Sequence, residues 1–374
     1  MDPLVNVEEA DAIEYIFERG WTDGLPVVPP TPHRVTAMLE AAGRKAEELL
    51  GSVPDTRRVV TAGITAINAV MAGCKPEYFS IVVSALEAVL DPAFKINTVA
   101  TSTGGAAVCV IVSGPGADEV KMNSGCNVLG SGNRANATIG RAVRLTIANG
   151  LGAKTGKLDA TSIGHPGKYT LCFAENPPLD PWRPLRVEKG YSSEDTTVTV
   201  MATEGPRQIA NLLNETPEGV LLSIAASMKN PSTFIVGKGG QGVVLLGHEH
   251  ALAVHQAGWS KQQAREFLVE HSRVTPAELE AAGVRLESRT QHDMTPAADG
   301  KLSTVQSIDD IVLVTAGGPG AGWSAYLPAW APTIHSRSVT RRVRPVGEAL
   351  PDCGPDICEV PWIKESFPMS TNRS

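Results

Sequence analysis

The 374-residue chain predicts an α/β protein, with two α/β layered units, a helical and Pro-rich N-terminal arm and an irregular C-terminal tail. Three observations predict it. Short β-branched runs such as AAVCVIV (residues 106–112) and IVLVT (311–315) read as buried strands. Segments with helical spacing and helix-start signals lie between such runs. Glycine-rich loops follow the strands, in a chain with 36 glycines and only 5% aromatics. At roughly 150 residues per domain, the length favours two domains. The expected divisions are an arm over residues 1–54, a first α/β domain over 55–200, a second over 201–345 and a tail over 346–374.

In the arm, helical stretches flank WTDGLPVVPPTP (21–32), whose four prolines force an extended path. Such a segment needs a surface to rest on, so it reads as a strap over the body or over a neighbouring subunit. The other reading is a lid carrying Trp21 and Asp23. In the first unit, residues 61–72 form a small-residue helix closing at Gly73, and Pro76 suits the first turn of the next, 76–90. The strand at 106–112 runs through SGPGADEVKMNSGCNVLGSGN into a helix over 134–149. There Ala135, Ile139, Ala142, Val143 and Ile147 share one face. In the second unit, VTVMAT reads as a strand and RQIANLLNE as a helix. FIVGKGGQGVVLLG reads as two strands around a glycine turn, and HEHALAVHQAG as a helix ending at Gly258. Capping boxes at Ser260–Gln263 and Thr275–Glu278 start two more helices. No internal repeat is evident.

The net charge of −7, without clustered Lys and Arg, argues against nucleic acid and anionic membrane surfaces as partners. No apolar run approaches the roughly 18 residues of a membrane helix. The first twenty residues lack the basic and apolar regions of a secretory leader. Six cysteines in so long a chain do not make a disulfide framework. These features predict a cytoplasmic protein with reduced thiols that acts on a small molecule. Pro-rich segments at both ends favour a homo-oligomer.

Two glycine-rich loops are candidate ligand sites. Gly130-Ser131-Gly132-Asn133 opens a helix, where free N–H groups attract anions. Asn133, Arg134, Asn136 and Arg141 there are expected to bind a carboxylate or phosphate. AGGPGAGWS (316–324) follows a buried strand, the place where α/β sheets gather ligands, and offers Gly318, Gly320 and Ser324 as an anion cradle. Gly237 to Gly242 (GKGGQG) lacks the P-loop spacing and reads as a turn.

Cys74 lies at a helix start beside Lys75, which favours a thiolate. Cys126 lies in the loop NSGCN, and Cys172 points opposite to Leu171 and Phe173 if KYTLCFAEN is a strand, while Cys109 reads as core. GHPGKYTLCFAENPP is dense in reactive types. On an extended segment Lys168, Cys172 and Asn176 share a face, and a general acid/base, His165 or Glu175, stands beside cationic Lys168. The pair Cys353 and Cys358 lacks zinc partners, and HEHALAVH lacks H-E-x-x-H spacing, so His250 and His255 read as surface or capping residues.

WTDGLPVVPPT, MAGCKPEYF, GSGNRANATIGRA, GHPGKYTLCFAEN and HEHALAVHQAGWSKQQAREFLVEHSRV resemble a bacterial protein family related to proteins with a UGSC-type (seleno)protein domain. The likeness covers most of the chain. In that domain a buried strand leads into a Sec/Cys-Gly-Ser-Cys turn. Here IVLVT leads into AGGPGAGWS, which has no cysteine, so the resemblance implies a ligand-binding loop through Gly318, Gly320 and Ser324.

Three functions follow, in order. The first is a lyase or hydrolase on an anionic substrate, with Cys74 or Cys126 as nucleophile or acid and Lys168 with His165 or Glu175 moving protons. The second is a metal- or iron–sulfur-dependent (de)hydratase in which Cys74, Cys126 and Cys172 hold the metal. The third is a non-catalytic ligand-binding or scaffolding subunit.

Overall fold

The structure, a computed structural model, describes residues 8, 11–229, 235–284, 296, 298–346 and 348. The chain opens with helices α1 (Ala12–Glu18) and α2 (Pro32–Ala41) and a hairpin of β1 (Leu49–Val53) and β2 (Arg58–Thr61). Helices α3 (Ala62–Ala72), α4 (Phe79–Val89) and α5 (Ile96–Thr101) precede β3 (Ala107–Ser113). Helices α6 (Pro115–Glu119) and α7 (Arg134–Gly150) lead to β4 (Cys172–Ala174), and α8 (Leu185–Glu188) leads to β5 (Thr197–Thr203) and β6 (Arg207–Ala210). Then come α9 (Pro217–Met228), β7 (Gly242–Leu246), α10 (His248–Gln256), α11 (Lys261–His271) and α12 (Pro276–Ala281). The last strands are β8 (Ile311–Thr315), β9 (Trp323–Leu327) and β10 (Val339–Arg342).

Local chemistry sets the ends of several helices. Thr61 caps α3 by accepting the Ile64 N–H, and Gly73 closes it at φ 90°, a backbone region that side chains disfavour. Asn133 caps α7, and both expected capping boxes, at α11 and α12, are formed.

The fold is α/β. Two four-stranded sheets run β10-β5-β3-β4 and β6-β9-β7-β8. In each, the last pair is parallel (β3 with β4, β7 with β8) and the other pairs are antiparallel. The architecture therefore occurs twice, although the sequence shows no repeat. Alternation along the strands builds the layers. Cys109, Ile111, Phe173 and Met201 from one sheet pack against Val243, Leu245, Val314 and Leu327 from the other in a shared core. The opposite faces carry helices. Val110, Val112 and Val200 pack under α3, α4 and α7, and Val244, Leu313 and Tyr326 under α9, α10 and α11. The order is helix, sheet, sheet, helix.

The edge strands cross between the halves. β6 follows β5 but pairs with β9, and β10 follows β9 but pairs with β5. The expected division at residues 200/201 falls inside β5.

The Pro-rich segment lies on its own chain. Arg141 grips Asp23 with two nitrogens at 2.7 Å each and reaches the Pro26 carbonyl at 3.0 Å, while Asn149 donates to the Trp21 carbonyl at 2.8 Å. Two sequence readings are corrected. RQIANLLNE begins as strand β6, not as a helix, and residues 235–238 form a turn, so one strand rather than two adjoins GKGGQG. The tail with Cys353 and Cys358 lies outside the described residues. No described helix is long and apolar enough to cross a membrane.

Candidate functional site

Parallel strands expose free backbone groups at their carboxyl ends, and here two such ends meet. Asn176, just after β4, donates its backbone N–H to the Thr315 carbonyl of β8 at 2.8 Å and its side chain to the Gly317 carbonyl at 3.1 Å. The Gly317 N–H in turn reaches the Ser124 carbonyl at 2.7 Å. These bonds lay the loop NSGCN of one half on the loop AGGPGAGWS of the other. Position 318 must be glycine, because a Cβ there would stand 2.3 Å from the Cys126 sulfur and 2.7 Å from its nitrogen. Cys126 is exposed, with its Sγ 3.8 Å from the Pro319 carbonyl.

Asparagines shape the thiol-bearing loop. Buried Asn136 accepts the Asn123 N–H at 2.9 Å and donates to the Asn123 carbonyl at 2.8 Å. Asn123 then donates to the Cys126 carbonyl at 2.8 Å. Asn133 caps α7 and ties back to the Lys121 carbonyl at 2.8 Å.

On the other side of the glycine loop, the Gly320 N–H donates to Glu249 Oε1 at 2.8 Å, while Oε2 is enclosed with no partner among the described residues. Burial pushes this carboxyl up, but the Gly320 N–H, its own N–H and the neighbouring His248 and His250 outweigh it, so Glu249 lies below its ordinary value. His250 Nε2 lies 3.1 Å from the Asn211 carbonyl, which only accepts; the proton is therefore on Nε2, and Nδ1 accepts the Ser324 hydroxyl at 2.7 Å. Ser324 also accepts the Gly247 N–H at 3.2 Å. With 5% and 1% exposure, Ser324 and His250 are an internal brace for the loop rather than a solvent-facing pair. His250 is thus not a surface residue, and His255 bonds the Asp180 carbonyl at 2.6 Å.

The other expected site residues fall elsewhere. Cys74 is not an activated thiol. It is buried against the Thr138 carbonyl at 3.3 Å, burial pushes it up to about 12, and Lys75 turns to Glu77 instead. Cys172 faces the helical layer, opposite to Leu171 and Phe173, and burial raises its pKa well above the ordinary range. Among the described residues no group of three or more His, Cys, Asp or Glu side chains is placed to hold a metal ion, so Cys74, Cys126 and Cys172 do not converge.

The stretch GHPGKYTLCFAENPP divides between the two ends of β4. Lys168 sits in a short 3-10 turn, not on a strand face with Cys172 and Asn176. Its ammonium lies 2.9 Å from Asp159, which also takes Arg144 at 2.5 Å, beside a cavity of about 20 Å³, room for about one water. Burial pulls Lys168 and His165 below their ordinary values. Glu175, at the other end, bonds Ser113 at 2.6 Å and the Leu185 N–H at 2.9 Å and does not pair with Lys168; burial raises its pKa. Of the expected anion-binding arginines, Arg141 is filled by Asp23, while exposed Arg134 uses its Nε on the Gly73 carbonyl at 3.0 Å.

Cys126, Asn176, Gly318, Gly320 and Ser324 are therefore brought together from three distant segments. Glu249 and Asn211 were missed. The signal for Glu249 was its place in the first turn of a helix that directly follows a buried strand. The chain matches no model of a known protein family and no curated protein.

Proposed function

We propose that the protein is a small-molecule enzyme, a lyase or hydrolase with a carboxylate- or phosphate-bearing substrate, in which Cys126 is the nucleophile. The observation that carries this reading is that Cys126 is an exposed thiol seated on the glycine loop where the carboxyl ends of both parallel strand pairs meet. The other three described cysteines are buried. Glu249, whose Oε2 lacks a donor, accepts a hydrogen bond from the substrate, and His248, exposed on the first turn of α10, carries the proton. Arg134, at the end of the same loop as Cys126, attracts the anionic group. The loop after the strand IVLVT carries no cysteine of its own, and Cys126 comes to it from the other half.

The test is reaction with p-nitrophenyl acetate and iodoacetamide. Wild-type protein should release nitrophenol and be alkylated at Cys126 faster than free glutathione reacts, and Cys126→Ser should lose both. Alkylation no faster than glutathione would remove the assignment.

A further inference from the structure

A second site, away from Cys126, lies between α8 and the start of α11. A hollow of about 440 Å³ opens there, within the size range of small-molecule sites. None of its lining residues belongs to either glycine-rich loop. Two indoles form fixed walls. Trp182 donates its ring N–H to the Trp259 carbonyl at 2.8 Å and meets His255 edge-on at 5.7 Å, and Trp259 meets Phe267 edge-on at 5.6 Å. Rings held in this way offer apolar area at little entropic cost.

The polar lining is cationic. Arg183, Lys261 and Arg265 line it together with Glu188, which lies 2.5 Å from Arg265 and 3.5 Å from Lys261, while Lys261 also lies 3.7 Å from Glu175. Lys261 is also held by the Arg183 carbonyl at 2.8 Å. The Arg265 Nε–H is enclosed with no acceptor among the described residues. A donor removed from water without a partner costs free energy, and an anion bound in the hollow would supply the missing acceptor.

We propose that this hollow binds a small aromatic carboxylate, its ring beside Trp182 and Trp259 and its carboxylate on the Arg265 Nε–H. Titration calorimetry with indole-3-carboxylate, indole-3-carboxamide and inorganic phosphate tests it. The carboxylate should bind saturably to the full chain. The neutral amide should bind at least about tenfold more weakly, and Arg265→Gln should weaken the carboxylate by about tenfold. Equal affinity for acid and amide would overturn the proposal, as would phosphate binding as tightly as the aromatic acid, or no binding of the acid at millimolar concentration. The comparison of acid and amide on the unaltered protein decides the matter even if Arg265→Gln does not fold.

Discussion

A thiol at Cys126 and a thiol at Cys74 differ in their surroundings rather than in their neighbours along the chain. In the sequence Cys74 has an adjacent lysine and a following helix that favour a thiolate, yet in the fold Lys75 turns to Glu77 and burial pushes the thiol up to about 12 despite Arg134 and Arg141. Under native conditions, peptide mapping after alkylation should find Cys126 modified and Cys74, Cys109 and Cys172 untouched; denaturant should open all three. Gly318 carries the complementary prediction. Adding one methyl group forces it onto the Cys126 backbone as well as the sulfur, so Gly318→Ala should cost about 1–3 kcal/mol and displace the loop. The checks are the melting temperature and the alkylation rate at Cys126. The sequence made Cys126, Gly318 and Ser324 candidates one by one, through glycine content and a preceding strand. It held no sign that residues 126 and 318 touch, because that contact depends on how the two sheets pack. Arg141 was legible as a cation for a carboxylate but not as the partner of Asp23, since the pair spans the length from arm to α7.

Elements with strong local chemistry were readable. The runs at β3, β5 and β8 are continuous and β-branched, and α7, α10 and α11 carry caps or a glycine stop. Element β6 was not readable, because Ile209, Leu212 and Leu213 have helical spacing; the edge position beside β9 overrides it and leaves Leu213 94% exposed. Strands β9 and β10 have four or five residues each and owe their form to their neighbours. The strap over residues 21–32 yields a pH prediction. The carboxyl of Asp23 is pushed up by burial but is pulled further down by Arg141 and backbone N–H groups, so its folded pKa is below 3.8. A lowered carboxylate pKa contributes stability above the unfolded value, and that contribution is lost as pH falls through the folded value. Hydrogen exchange in the strap should therefore be slow at neutral pH and quicken below about pH 4. Asp23→Asn should quicken it already at neutral pH, with a cost of about 1–3 kcal/mol.

At the scale of the whole molecule, the two sheets share one core and each half closes the other half's sheet. Heat or denaturant should therefore unfold the sheets in a single transition, followed by circular dichroism and by tryptophan fluorescence together. Two separate transitions would show that the halves are energetically independent. A fragment of residues 55–200 lacks β10 and the facing sheet, and it should give a poorly dispersed NMR spectrum. Phe173, fully buried between the sheets, should cost about 3–5 kcal/mol when replaced by alanine, and the loss should destabilise both halves equally. The α/β class was legible from composition and strand runs alone. The doubling of the architecture was not, because hydrogen-bond pattern and layer order recur without matching residues.

The crossing of β10 into the first sheet also bears on how the chain is made. The open side of β5 leaves the ribosome well before Val339–Arg342 does. At about 5–20 residues per second, that unpaired edge stays bare for on the order of ten seconds. A nascent chain in this condition invites pairing with another of its kind, and a chaperone that shields Thr197–Thr203 during synthesis would raise the yield of correctly closed molecules.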